Sequence, residues 1–186
     1  MPEQGDHDVD EEMVAEAARN ITAGTDHIWM PIEFLKDDVP PPKAPLPAIS
    51  VQIGRMSIIE RVKVALLGGK DARMILAHDS NRVVRRYVLM NPRITEGEIA
   101  AIANSKLADE EILRIISDKR EWMKSYQVRL GVVRNPKTPL VTAMNLLPTL
   151  MMRDLGKLAK SRDVPEGVVH HARRIYLERR DRGAAN

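Results

Sequence analysis

A short pattern that returns along the chain constrains the fold more than any other feature. Val84-Arg85, Val88, Asn91-Pro92 and Arg93 recur 44 residues later as Val128-Arg129, Val132, Asn135-Pro136 and Lys137. A second match, at an offset of 56, pairs Ile102-Ala103 with Leu158-Ala159, Ser105-Lys106 with Ser161-Arg162, Glu110 with Glu166 and Ile112-Leu113 with Val168-Val169. The offsets differ by 12 residues, about one short helix, which places an insertion around Leu140 to Met151. Self-similarity at this period points to helix pairs, each of which buries its apolar face only against a neighbour.

Local signals agree with helix. Ser57 and Glu60, and again Thr95 and Glu98, stand three apart as capping boxes that satisfy free backbone N–H groups. Gly68-Gly69 predicts a helix stop through a left-handed cap, and Asn91-Pro92 another, with Asn in the left-handed position and Pro unable to continue the ladder. Asp79 or Ser80 is expected to cap the helix that runs to Met90. Pro139 and Pro165 suit first helical positions, where a missing N–H does no harm. Aromatic residues make up only 3% of the chain, too few for most β-sandwich or barrel cores.

The Val-Arg pairs that lead into Asn91-Pro92 and Asn135-Pro136-Lys137-Thr138-Pro139 resemble leucine-rich repeat variant units, found in a HEAT-like helical-repeat family of uncharacterised bacterial proteins. The resemblance spans about residues 57–177. It implies an all-α fold, a right-handed α-solenoid of short antiparallel helix pairs, and a protein-binding role. Spacing is irregular, the leucine positions are diluted, and the Cys residues that hold a cluster beside such repeats are absent.

The net charge of +3 averages two unlike parts. Residues 1–48 carry eleven acidic against three basic residues, a balance of −8, while 49–186 carry +11. Seven of the twelve prolines also lie in 1–48, and the cluster from Pro40 to Pro47 predicts an extended linker over 37–49. The expected organisation is therefore a largely disordered acidic arm, 1–48, followed by a basic helical-repeat domain, 49–186. Within the arm, 8–23 suggests an amphipathic helix with Val9, Met13, Ala17 and Ile21 on one stripe. Residues 27–35 are its most hydrophobic stretch; Trp29, Ile32, Phe34 and Leu35 form a candidate docking motif for a partner or for the chain's own body. No secretory or transit signal and no apolar run near the ~20 residues of a membrane span is visible, which favours a cytoplasmic location without membrane contact.

Residues suited to chemistry are sparse. The absence of Cys excludes disulfides, thiolate metal sites and a cysteine nucleophile. His170 and His171 are adjacent and diverge on a helix, and Gly68-Gly69-Lys70 lacks the spacing of a phosphate loop. No cofactor or metal is expected. Trp122 and Tyr126, four apart, would share one helical face. The cations Arg82, Arg85, Arg86, Arg93, Lys124, Arg129, Arg134 and Lys137 recur on equivalent parts of successive units and form a candidate binding stripe for phosphate or an acidic protein. The alternative is a solvated face whose Arg side chains cap helix ends. These features lead to a non-enzymatic helical-repeat adaptor that mediates protein–protein interaction. The second expectation is a nucleic-acid-binding repeat protein regulated by its acidic arm, and a third, without a motif, is a helical-repeat glycosylase using Trp122, Tyr126 and an acid.

Overall fold

Apolar residues at helical spacing, punctuated by caps and stops, fold into helices of 4–19 residues. The structure, a computed structural model, describes residues 10–31, 34–35 and 49–184. Among these residues there are twelve α-helices, one 3-10 turn and no strand, so the protein is all-α. Two compact units divide after Ile94. The expected linker, apart from Ile49, lies outside the described residues, as do Asp8, Val9 and Ile32.

The first unit contains α1 (Glu11–Ala23), α2 (Ile49–Ile53), α3 (Ile58–Leu67), α4 (Lys70–Leu76) and α5 (Arg82–Val88). The acidic segment is ordered structure over its described part: α1 packs on α3 and buries Val14, Ala18 and Ile21. Ile21 is buried as expected, but Val14 and Ala18 take the places of Met13 and Ala17, one residue or about 100° around the helix, so Met13 faces outward. Asp10 caps α1 by accepting from Glu12 N–H, and Gly24 closes it at φ 71°, a conformation that costs glycine little.

α3 starts at the expected capping box, with Glu60 N–H donating to the Ser57 hydroxyl and Ser57 N–H to the Glu60 carboxylate. Its stop works differently from expectation. Gly68 is extended, at φ −65° and ψ 159°, and glycine is required there by close approach. A Cβ on Gly68 would lie 2.2 Å from the Val64 carbonyl oxygen and 3.2 Å from that of Phe34. Beside it, Gly69 N–H donates to the Phe34 carbonyl at 2.6 Å, and the Arg73 guanidinium donates to Gly68 O at 2.7 Å. The cap of α5 is Asn81, whose side chain accepts from Val83 N–H, rather than Asp79 or Ser80.

The second unit contains α6 (Glu96–Asn104), α7 (Glu110–Asp118), α8 (Arg120–Met123), α9 (Tyr126–Arg134), α10 (Leu140–Leu146), the 3-10 turn Leu147–Thr149, α11 (Met152–Leu158) and α12 (Glu166–Ala184). The second capping box, Thr95 with Glu98, opens α6. α6 packs on α9, where Gly131 leaves room for Asn104 and Ala103. α10 and the 3-10 turn occupy the place of the expected insertion, and α11 packs on α12. Leu130, Val133, Leu147, Leu155, Val168 and Ala172 lie in the core that joins α9 to α12.

The two internal matches extend to hydrogen bonds. The Arg85 guanidinium donates to the carbonyls of Asp79 and Ser80 at 2.5 and 2.9 Å, and Arg129 donates to those of Met123 and Lys124 at the same distances, 44 positions on. Asn91 and Asn135 are both buried. Asn91 donates to Ala65 O at 2.9 Å and Gly68 O at 3.4 Å; Asn135 donates to Ala103 O at 2.9 Å and Ser105 O at 2.8 Å. Each amide oxygen in turn accepts a backbone N–H two residues on, from Arg93 or Lys137. Neither Asn is left-handed, since no non-glycine described residue has positive φ. The Asn side chain instead ties the end of α5 to the end of α3, and the end of α9 to the end of α6. At the offset of 56, Ser105 accepts from Leu107 N–H as Ser161 does from Asp163 N–H.

Candidate functional site

The candidate cation stripe is largely engaged with the chain itself. Arg85 and Arg129 are occupied by the carbonyls just described. Arg93 donates to Leu35 O at 2.8 Å and to Leu67 O, so it ties the segment after Phe34 to the end of α3. Arg82 pairs with Glu11 of α1, both exposed, and Arg134 approaches Asp154 at 3.5 Å. Arg86 is half-buried and also has a partner. Lys124 and Lys137 are exposed. Arg93 and Arg129 satisfy free carbonyls at the C-terminal ends of α3 and α8, where their charge also suits the helix, while Arg85 holds the loop that precedes α5.

The docking motif splits in two. Phe34 is 1% exposed, with its carbonyl bonded to Gly69, and Leu35 is half-buried, whereas Trp29 is 81% exposed. Between them and α1, Lys63 of α3 is buried and donates to the Asp26 carboxylate and, at 2.5 Å, to Ile28 O. That hydrogen bond from Lys63 holds the Asp26 carboxyl below its usual range, against the opposing effect of burial. Residues 25–31 and 34–35 are thus fastened to the first unit by Lys63, Gly69 and Arg93.

Trp122 and Tyr126 do not share a helix, because Ser125 caps α9 between them. Lys119 lies 4.2 Å over the Trp122 ring, a cation–π contact. Tyr126 donates its hydroxyl to Asp154 at 2.5 Å and accepts from Met151 N–H at 3.2 Å. Asp154 is 1% exposed and also has Arg134 and Arg153 at 3.5 Å. The Tyr126 hydrogen bond is the main cause that lowers the Asp154 carboxyl, while burial, followed by that same bond, raises the tyrosine. A carboxylate held charged in this way is a weak base; the cluster locks the start of α11 to the start of α9. Nothing in the sequence near Arg153-Asp154 marked this acid as buried.

The second unit carries a groove of about 610 Å³ between α11 and α12. Its floor is formed by Met152, Gly156, Ala159, Tyr176 and Leu177. Gly156 shapes it, because a Cβ there would lie 3.1 Å from the Tyr176 ring. Arg153, Lys157, Lys160 and Arg173 stand along its edges, and no carboxylate is among its lining residues. Only Arg173 of these is partly committed to backbone, donating to Ala159 O at 3.1 Å. Sequence reading missed the groove: Lys157 lies on α11 and Lys160 just past its end, but their α12 neighbours are about twenty residues away.

A smaller cavity of about 450 Å³ in the first unit is lined by Ala15, Ala18, Leu66, Tyr87 and Met90 among others. Among the described residues no cluster of three or more His, Asp or Glu is placed to hold a metal, and no helix is long and apolar enough to cross a membrane. No family model matches the chain, and comparison with curated proteins and with solved structures gives no match.

Proposed function

We propose that the protein is a non-enzymatic, cytoplasmic helical-repeat adaptor that binds another protein. The observation that carries this reading is the contrast between two surfaces. Arg85, Arg93, Arg129 and Arg134, on which phosphate binding would depend, are occupied by the chain's own carbonyls and a carboxylate. The groove between α11 and α12 is apolar and open, with exposed Lys157 and Lys160 beside it. A concave surface with an apolar floor and a polar edge is suited to a protein segment. The matched Arg and Asn hydrogen bonds, 44 positions apart, support a repeat origin and with it the α-solenoid arrangement.

Affinity capture of the full-length chain after chemical crosslinking tests the reading. A defined protein that survives nuclease treatment and raised salt is expected; recovery that depends entirely on nucleic acid would contradict it. The second reading, nucleic-acid binding, rests on the +11 charge of residues 49–186. It requires binding to duplex or single-stranded oligonucleotides that falls steeply with salt.

A further inference from the structure

The charge on the α11–α12 groove specifies its occupant further than the adaptor reading on which this step rests. The apolar lining presents Gly156 from α11 and Ala159 from its C-terminal cap, with Tyr176 and Leu177 from α12. Small residues on one wall and larger ones on the other leave a trough rather than a flat face. The seven residues of α11 rise about 10 Å, which matches two turns of a helix laid along it. Such a segment reaches the floor with apolar side chains at i and i+4.

The edges decide the sign. Arg153, Lys157, Lys160 and Arg173 are all exposed, and acids are missing from the lining. The ammonium groups of Lys157 and Lys160 make no ion pair or hydrogen bond with any described residue, so they are available without breaking an internal contact. Of the acids adjacent in sequence to the lining, Asp154 is buried and held by Tyr126 and Arg134, and Glu178, next to Leu177, is exposed but pairs with Arg174 at 3.8 Å. A cationic segment would meet four like charges, whereas carboxylates on either side of an apolar stripe meet opposite ones.

We infer that this groove binds an acidic amphipathic helix of a partner protein, with its apolar stripe on Tyr176 and Leu177 and its carboxylates facing Lys157 and Lys160. The area offered by two helical turns is small, so the complex is a transient one whose formation depends on charge. The first-unit cavity offers no comparable argument, because only Arg19 among its lining residues is charged.

Fluorescence anisotropy on the full-length chain tests the inference with a labelled synthetic helical peptide that carries two leucines at i and i+4 with glutamates on both flanks. Saturable binding that weakens with salt is expected, with no binding of the counterpart whose glutamates are lysines. Lys157→Glu with Lys160→Glu, and separately Leu177→Glu, should each weaken binding by roughly tenfold or more. These side chains are exposed, and an unchanged far-ultraviolet circular dichroism spectrum checks that the fold is kept. Equal affinity in the charge-reversed variant, equal binding of the lysine peptide, or no saturable binding overturns the inference. So does a DNA duplex that displaces the peptide and loses its own affinity in that variant, or self-association abolished by Leu177→Glu. A crosslinked protein partner that is retained by all of these variants would leave the adaptor reading standing while removing the groove from it.

Discussion

Asn135→Ala isolates the device on which the internal similarity depends. The Asn135 side chain is 3% exposed and makes three hydrogen bonds, to Ala103 O at 2.9 Å, to Ser105 O at 2.8 Å and from Lys137 N–H at 3.1 Å. The Ala103 bond is buried, so truncation leaves its carbonyl short of a partner at about 1–3 kcal/mol. The other two are partly buried and are replaced by water at about 0.5–1.5 kcal/mol each. The expected loss is therefore about 2–6 kcal/mol, or about 4–24 °C in Tm for a chain of this length. Urea unfolding followed by circular dichroism at helical wavelengths measures it. Asn91→Ala should show a loss of similar size, because its bonds to Ala65, Gly68 and Arg93 repeat the pattern. Lys137→Ala is the control: its side chain is exposed and its backbone N–H remains, so the change should stay within about 0.5 kcal/mol. A loss below about 0.5 kcal/mol in either Asn variant would refute the claim that these residues tie helix ends together.

Three further outcomes follow from the same geometry. Gly68→Ala should lower the urea midpoint by an amount equivalent to about 1–3 kcal/mol, since its Cβ would stand 2.2 Å from Val64 O and force the backbone away from Phe34. Tyr126→Phe removes the main cause that lowers the Asp154 carboxyl. A carboxyl lowered in the folded state stabilises above its unfolded pKa and loses that contribution as pH falls through the folded one, so the gap between wild type and variant in urea midpoint should narrow from neutral to acid pH. Lys63→Met removes the hydrogen bonds to Asp26 and Ile28 O, and amide exchange over residues 25–31 should quicken by roughly tenfold while that of α9 does not change.

The helix starts were legible because a capping box is a local device: Ser57 with Glu60 and Thr95 with Glu98 act within one turn. The stops were legible as positions but not as mechanisms. Gly68 and Asn91 both lie where a left-handed cap would serve, yet Gly68 is required chiefly by the close Val64 carbonyl, with the Phe34 carbonyl from another part of the chain also near, and Asn91 acts through an amide that spans 26 residues to Ala65. Tertiary contacts of that kind leave no local pattern. For the cations, the sequence displays charge but not partner, so Arg85 and Arg129 read alike as ligands for phosphate or as caps until their carbonyls are located. The acidic arm posed the same problem, because Val14 and Ala18 fit a buried stripe with Ile21 no better on paper than Met13 and Ala17, which the structure leaves more exposed. The groove was invisible for the simplest reason, that Gly156 meets Tyr176 only once α11 and α12 are packed.

A photo-crosslinking amino acid in place of Leu177, in the full-length chain inside its native cell, tests protein binding through this surface most directly. The account predicts an adduct mapped to an acidic amphipathic segment of one protein, lost when Lys157 and Lys160 are both changed to Glu. Adducts only with nucleic acid, or protein adducts indifferent to that charge reversal, would contradict it.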